Sequence, residues 1–291
     1  MEHEFFHICG LNLCIQAERP LRTGGDMLCF QTPAVRPDLI IDCRAAAALP
    51  LPEGEVCRRG EERLICRRGT AVARCQMSAD GMLLRSRVDY DLTAPDRAVL
   101  TVRSEDWHWI TDYLRLWSTV YLPQLLLPFR TLVFHASYIG TPGGAVLFTA
   151  PSGTGKSTQA ELWRVHRGAR VLNGDKAAVR LDGAPMAHGM PFSGTSGICE
   201  NVSLPLRGIV VLSQAKENTV RRLGPSAAAA ALSPNLFADQ AVAEEWHMAL
   251  NLLLDLAASV PVYALACTPD ERAVSALEQA MARDGLISER T

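Results

Sequence analysis

One stretch limits this chain more than any other: Ala150-Pro151-Ser152-Gly153-Thr154-Gly155-Lys156-Ser157-Thr158. It is one residue short of G-x-x-x-x-G-K-[ST], the phosphate-binding (Walker A) loop, with Ala150 in the first position. An apolar run, Ala145-Val146-Leu147-Phe148, precedes it, and a helical pattern, Gln159-Ala160-Glu161-Leu162-Trp163, follows. Strand, glycine loop and helix start are the setting in which such a motif holds phosphate. Gly153 and Gly155 lack a Cβ, so the backbone can turn tightly and bring N–H groups against phosphate oxygens. The helix start adds unpaired N–H groups and the positive end of its dipole. Lys156 can reach the β- and γ-phosphates, and the Ser157 hydroxyl can hold Mg²⁺. Ser152, Thr154 and Thr158 complete the expected nucleotide-binding residues. Ala150 is a mild departure provided that its position needs no positive φ.

The strand entering the loop has an unusual neighbour. Thr131 to Ile139 reads as a strand carrying His135, and Gly140-Thr141-Pro142-Gly143-Gly144 is turn chemistry. A connection this short allows a hairpin but no helical crossover. The loop is therefore fed by one arm of an antiparallel pair. After the loop, a helix of about ten residues ends near Gly168, a strand runs from Ala169 to Asn173, and Gly174-Asp175-Lys176 follows. Asp175 stands nineteen residues after Lys156. A nucleotide site needs a carboxylate there, to bind Mg²⁺ or to deprotonate an acceptor. The bland alternative is an Asp that caps a turn. Gly189 to Gly197 is a second glycine-rich stretch, either a cover for the site or a plain surface loop.

Length sets the frame for the rest. With 291 residues the chain has room for about two domains. Residues 1–103 read as a β-rich domain with hairpins around residues 60–62 and 78–81. Residues 104–130 form a helical connector. There Trp107, Ile110, Leu114, Trp117 and Tyr121 recur at helical spacing as core that docks the first region onto the second. Residues 131–291 hold the loop and its domain. Val242 to Ala258 is amphipathic, and Thr268-Pro269-Asp270-Glu271 opens a last helix with Thr268 as its cap.

The charge balance excludes some functions. Net charge is −2, which gives no electrostatic case for nucleic acid or an anionic membrane. The start is acidic and lacks a basic, apolar leader, so a cytoplasmic protein with no membrane segment is expected. Of nine cysteines, seven lie before residue 76, with no C-x-x-C pair and no His at zinc spacing. Reduced strand cysteines are the expectation.

Residues 131–215 resemble the catalytic domain of HPr kinase/phosphorylase, in the phosphoenolpyruvate carboxykinase-like P-loop group. The likeness rests on the His135 strand, the hairpin into Val146-Leu147-Phe148-Thr149, the loop from Ser152 to Ser157, and Arg167-Gly168-Ala169-Arg170-Val171-Leu172 leading to Asp175. It implies an α/β (α+β) fold: a mixed-sheet P-loop kinase domain of that type, behind a smaller β-rich N-terminal domain. It also implies that Lys156, Asp175 and His135 are catalytic, that Ser157 and Asp175 bind metal, and that ATP and Mg²⁺ are used. Members of the group with unsettled substrates, some linked to modified-peptide gene clusters, resemble this chain more than the enzyme acting on HPr does. Three departures stand out. Ala150 replaces Gly, Thr158 replaces Glu, and Gly174-Asp175 replaces an Asp-Asp pair. Either Asp175 takes one role and Asp182, Glu200 or His135 supplies the other, or catalysis is lost.

Two functions follow. One is an ATP-dependent kinase that transfers the γ-phosphoryl group to a hydroxyl of an unknown acceptor, whether protein, peptide or small molecule. The other is a non-catalytic ATP-binding accessory or regulatory module, linked to peptide modification. Partners are therefore the nucleotide and an acceptor, and an oligomer is compatible with either function. Phosphoenolpyruvate carboxykinase itself is longer, and the L-S-G-G-Q and N-K-x-D motifs of ABC ATPases and GTPases are missing.

Overall fold

Leu84–Asp91 alternates buried and half-buried positions over its whole length, the pattern of a strand with one face on a core. The computed structural model describes residues 2–21, 25–60 and 62–286; Met1, in the acidic start, and Glu61, in the first expected hairpin turn, lie outside them. Two units divide the chain: Met1–Phe129 with Asp239–Trp246, and Arg130–Ala238 with His247–Thr291.

Unit 1 contains β1 (Glu2–Ile8), β2 (Leu11–Ala17), β3 (Gln31–Thr32), β4 (Leu39–Ala46), β5 (Glu55–Arg59), β6 (Arg63–Arg68), β7 (Ala71–Met77), β8 (Leu84–Asp91) and β9 (Arg97–Arg103). They form one mixed sheet in the order β3-β1-β2-β4-β9-β8-β7-β6-β5. Parallel pairing is confined to β2–β4 and β4–β9. Both expected hairpins are present, as β5–β6 and β7–β8.

The stretch after β9 is helical, but in short pieces. A 3-10 turn over Ser104–Trp109 is followed by α1 (Tyr113–Thr119), α2 (Leu122–Leu126) and another 3-10 turn at Leu127–Phe129. Tyr121 takes a left-handed conformation that ends the run, and Pro123 falls in the first turn of α2. Pro123 therefore starts a helix instead of breaking one, because an N–H is not needed there. Trp117 packs edge-on against Phe6, with centroids 5.6 Å apart, so the aromatic stripe contributes to the core of unit 1.

Unit 2 contains β10 (Thr131–Thr141), β11 (Gly144–Thr149), α3 (Lys156–Arg167), β12 (Arg170–Asn173), β13 (Lys176–Arg180), β14 (Met186–Gly189), β15 (Ser203–Gln214), β16 (Thr219–Leu223), α4 (Pro225–Leu232), most of α5 (Ala243–Ser259), β17 (Val262–Cys267) and α6 (Glu271–Arg283). β10 and β11 form the expected hairpin, closed between Thr141 and Gly144. On its other side β11 runs parallel to β15, which runs parallel to β17. β10 is long enough to split its pairing, with Thr131 to His135 on β13 and the remainder on β11. The pairings β11-β10-β13-β14-β15 close back on β11. The chain is thus a mixed α/β protein with two mixed sheets.

α3 and α6 cover the parallel strands. Trp163, Val274 and Leu277 pack there with Phe148, Val210 and Leu265. The cap of α6 differs from the sequence expectation. Asp270, not Thr268, accepts from the Arg272 N–H at 3.0 Å. Thr268 is taken by Asn218, which donates to its hydroxyl at 2.8 Å and accepts from its N–H at 2.9 Å. α3 ends as read, at Gly168 in the left-handed region. Among the described residues no helix is long and apolar enough to cross a membrane.

Candidate nucleotide site

The loop sits where β11 ends, beside the ends of β15 and β17. This is the edge of parallel strands at which open sheets bind ligands. Gly153 and Gly155 have φ of 77° and 114°, values that side chains disfavour, so the two loop glycines are required by the backbone path. Ala150 is not among the positive-φ residues, and its side chain is fully buried. Its replacement of Gly therefore introduces no strain. Pro151 to Gly153, Ser157 and Thr158 are exposed, so the loop faces solvent. Lys156 lies at the first turn of α3 and is buried. Its Nζ donates to the carbonyls of Ala150 at 3.0 Å and Pro151 at 3.4 Å. Burial pulls its pKa below the ordinary lysine value, with Asp175 acting in the opposite direction.

Sheet register sets the second half of the site. His135 on β10 pairs with Lys176 on β13, and the Ala136 N–H donates to the Asp175 carbonyl at 3.0 Å. These contacts bring the His135 and Asp175 side chains together, with Nε2 3.6 Å from Oδ1 and each side chain somewhat under a third exposed. Lys176 Nζ lies 3.3 Å from the other Asp175 oxygen and 4.1 Å from the Phe192 ring centroid. Burial, followed by the Lys156 charge, holds His135 below its ordinary pKa, while Asp175 pulls the other way. Lys156, His135, Asp175 and Lys176 thus form one electrostatic group. Asp182 and Glu200 do not join it. Asp182 pairs with Arg180 at 2.9 Å and Glu200 with Arg170 at 2.6 Å.

The backbone at Gly174 leaves no room for a side chain. A Cβ on Gly174 would fall on the Ser196 hydroxyl. The second glycine-rich stretch packs here: Gly194, at φ 56°, comes so close that a Cβ on it would be 2.6 Å from the Asp175 Cβ. The stretch therefore lies against the acidic residue, with Gly194 to Gly197 exposed to solvent.

Several supporting residues escaped the sequence reading. The Asn173 side chain accepts from the Asp175 and Lys176 N–H groups at 2.9 and 3.0 Å and donates to the Met190 carbonyl at 2.8 Å. An Asn at a strand end, two residues before the acid, was the available signal. Gln214 at the end of β15 donates to the Gly153 carbonyl at 3.4 Å, and Gln159 on α3 donates to the Cys267 thiol at 3.3 Å. Neither pairing has a local sequence signature. None of the nine cysteines is in a disulfide, and no cluster of three or more His, Cys, Asp or Glu suited to a metal occurs among the described residues. Cys43 and Cys75 are buried, and burial pushes their thiols up to about 12, which keeps them inert at neutral pH.

Comparison with known proteins gives one family. The family model described as "SynChlorMet cassette protein ScmC" matches residues 103–282. Among solved structures, the Hpr(Ser) kinase/phosphatase from Coxiella burnetii is similar at 10% sequence identity and a TM-score of 0.32, covering 53% of this chain and 98% of that one. No curated protein matches.

Proposed function

We infer function from one premise: the chain belongs to the family of the SynChlorMet cassette protein ScmC. We propose that unit 2 is a P-loop domain of the phosphoenolpyruvate carboxykinase-like type. It transfers the γ-phosphoryl group of ATP to a hydroxyl of an acceptor. The observation that carries this reading is the convergence of Lys156, at the start of α3, with the His135–Asp175 pair.

The loop N–H groups and Lys156 hold the phosphates, and Lys156 exchanges its hydrogen bonds to Ala150 and Pro151 for phosphate oxygens. The exposed Ser157 hydroxyl and the partly exposed Asp175 carboxylate fit Mg²⁺, which usually takes one or two protein oxygens together with phosphates. When bound, Mg²⁺ neutralises charge on the phosphates. The acceptor O–H bond breaks as its oxygen bonds phosphorus and ADP leaves. Its proton goes to an Asp175 oxygen. His135, held neutral near pH 7 by burial and Lys156, keeps an unprotonated ring nitrogen that can receive that proton in turn.

A second reading is a nucleotide-binding accessory module without turnover. It is favoured by Gly174, whose neighbour Ser196 leaves no space for a second carboxylate. One experiment separates the two. Calorimetric titration of Mg²⁺-ATP is run on wild type, Lys156→Ala and Asp175→Asn, and ADP release with hydroxyl acceptors is followed on the same samples. The kinase reading expects binding that needs Lys156, and turnover that Asp175→Asn abolishes while binding persists. Binding without turnover for every acceptor favours the accessory module. Wild type that binds no nucleotide, or ADP release indifferent to Lys156, ends the P-loop reading.

A further inference from the structure

Unit 1 contains a cavity of about 420 Å³ beside the helical segment that follows β9, a volume suited to a small molecule. Its prominent apolar wall is the Trp109 indole, 42% exposed. Two guanidinium groups sit on that ring, Arg85 at 4.0 Å from the centroid and Arg115 at 5.1 Å. Ile110 and Val102 add apolar surface, and Thr119 contributes a hydroxyl.

The charges in this cavity do not balance. Asp106 is its one acidic lining residue. One Asp106 oxygen accepts from Arg85 Nε and Nη2 at 3.1 and 2.9 Å, and the other accepts from Arg103 Nε at 2.8 Å. Burial opposes its ionisation, but hydrogen bonds from the two arginines outweigh burial and hold the carboxyl below its usual range. Both Asp106 oxygens are thus engaged, and neither bonds Arg115. Arg115 is exposed and joins no ion pair among the described residues. Arg85 keeps its Nη1 edge outside the Asp106 contacts. Asp106 offsets the Arg85 charge, and the Arg115 charge at the same indole is the one left over. Two guanidinium groups, each within about 5 Å of one indole, match a carboxylate on an apolar body.

We propose that this cavity binds a small organic anion. Its carboxylate pairs with Arg115 and the Nη1 edge of Arg85, and its apolar body lies on Trp109 and Ile110. The site is independent of the nucleotide reading.

The test uses the full chain and four probes: 3-phenylpropanoate, hexanoate and the uncharged amide of each. Binding is followed through the indole N–H signals in ¹⁵N spectra, with the Trp109 signal identified by Trp109→Phe. The proposal expects saturable shifts of the Trp109 signal with an acid and none with its amide. Arg115→Gln, at an exposed position with no ion pair to lose, should weaken binding roughly ten- to hundredfold, the worth of one charge-assisted hydrogen bond. Arg221→Gln, on β16, should leave it unchanged. Equal binding of acid and amide overturns the proposal. So does undiminished binding by Arg115→Gln, or the absence of a Trp109 shift with either acid at millimolar concentration.

Discussion

Each unit gathers charges around an arginine or lysine, and the two gatherings are built on opposite plans. In unit 1, Arg74 is fully buried. Its Nε donates to the Tyr90 hydroxyl at 2.7 Å, Nη1 to Asp239 at 3.0 Å and Nη2 to Glu245, while the Tyr90 hydroxyl donates to Glu245. Burial works against the guanidinium charge, yet Tyr90 and the two carboxylates hold it charged above its usual value. Arg74, Tyr90, Asp239 and Glu245 each bond another member of the cluster, and the Tyr121 hydroxyl, on the ring 5.2 Å from the guanidinium, is the buried group beside it without such a bond. In unit 2, Lys156 bonds only loop carbonyls, and His135 and Asp175 stay partly exposed at 3.6 Å. A saturated cluster has no capacity left for a ligand and can only hold structure together. An unsaturated one beside a solvent-facing loop is ready to exchange internal hydrogen bonds for phosphate oxygens. The unit 2 group is therefore the place to seek chemistry, although the unit 1 cluster is the more deeply buried.

The largest effect should come from breaking the saturated cluster. Arg74→Met leaves Glu245 buried without its cation, while Asp239 keeps Arg58 at 3.2 Å, and the loss costs about 3–5 kcal/mol. Urea unfolding should show a matching fall in the midpoint, or no folded unit 1 at all. Replacing Arg74, Tyr90 and Glu245 together by Met, Phe and Leu should recover most of that loss, because an apolar set of similar volume needs no pairing. A single-variant cost below about 1 kcal/mol would mean that water reaches the cluster and the contrast between the units is false.

Lys156→Ala tests the other side. It should weaken nucleotide binding by about 1.5–3 kcal/mol, the worth of a hydrogen bond to a charged group. Unfolding of the ligand-free protein should change far less, because the ammonium group bonds only two carbonyls of a solvent-facing loop there. If stability falls as much as affinity does, Lys156 belongs to the framework, and the distinction between saturated and poised charges fails at its main example.

The sequence carried these two clusters unequally. The glycine loop, the hairpin feed and the Asp175 position were readable because each depends on local chemistry: backbone conformations that favour Gly, a short connection, a strand end. The union of Arg74 with Glu245 was not readable, since residues so far apart meet only through the fold. Gln214 and the pairing of His135 with Asp175 were hidden for the same reason, as strand register sets them, whereas Asn173 left a local signal in its place at a strand end, two residues before Asp175. The α6 cap shows how a sound local signal can lose. Thr268 has the right type and spacing, but Asn218 engages it, and Asp270 is left to cap.

Gly174→Ala sharpens the contrast at the point where the poised group lacks a carboxylate. Its Cβ would meet the Ser196 hydroxyl, an overpacking that costs about 1–3 kcal/mol. Adding Ser196→Gly should return most of that stability, because it removes the colliding atoms. Thermal unfolding of the single and double variants measures the coupling. If the two changes simply add, Ser196 is not what keeps residue 174 a glycine.

Acid should separate the two clusters, with the smallest effect of the set, since single shifted groups carry it. His135 has a folded pKa below its unfolded value near 6.5, so the unfolded chain takes up its proton first. Stability from this group is whole above about pH 6.5 and declines as pH falls toward the lower folded value. Asp239 is also held below its usual value, since burial is outweighed by the Ala241 N–H and Arg74. Its contribution is whole above about pH 3.9 and is lost only as pH falls further, through the folded value. Amide exchange on lowering pH should therefore show unit 2 loosening first, around β10 and β13, while β7 and β8 stay protected until near pH 4. His135→Gln should remove the earlier step and leave the later one. Simultaneous loosening, or an early step that survives His135→Gln, would show that pairing inside a cluster does not govern how each unit meets acid.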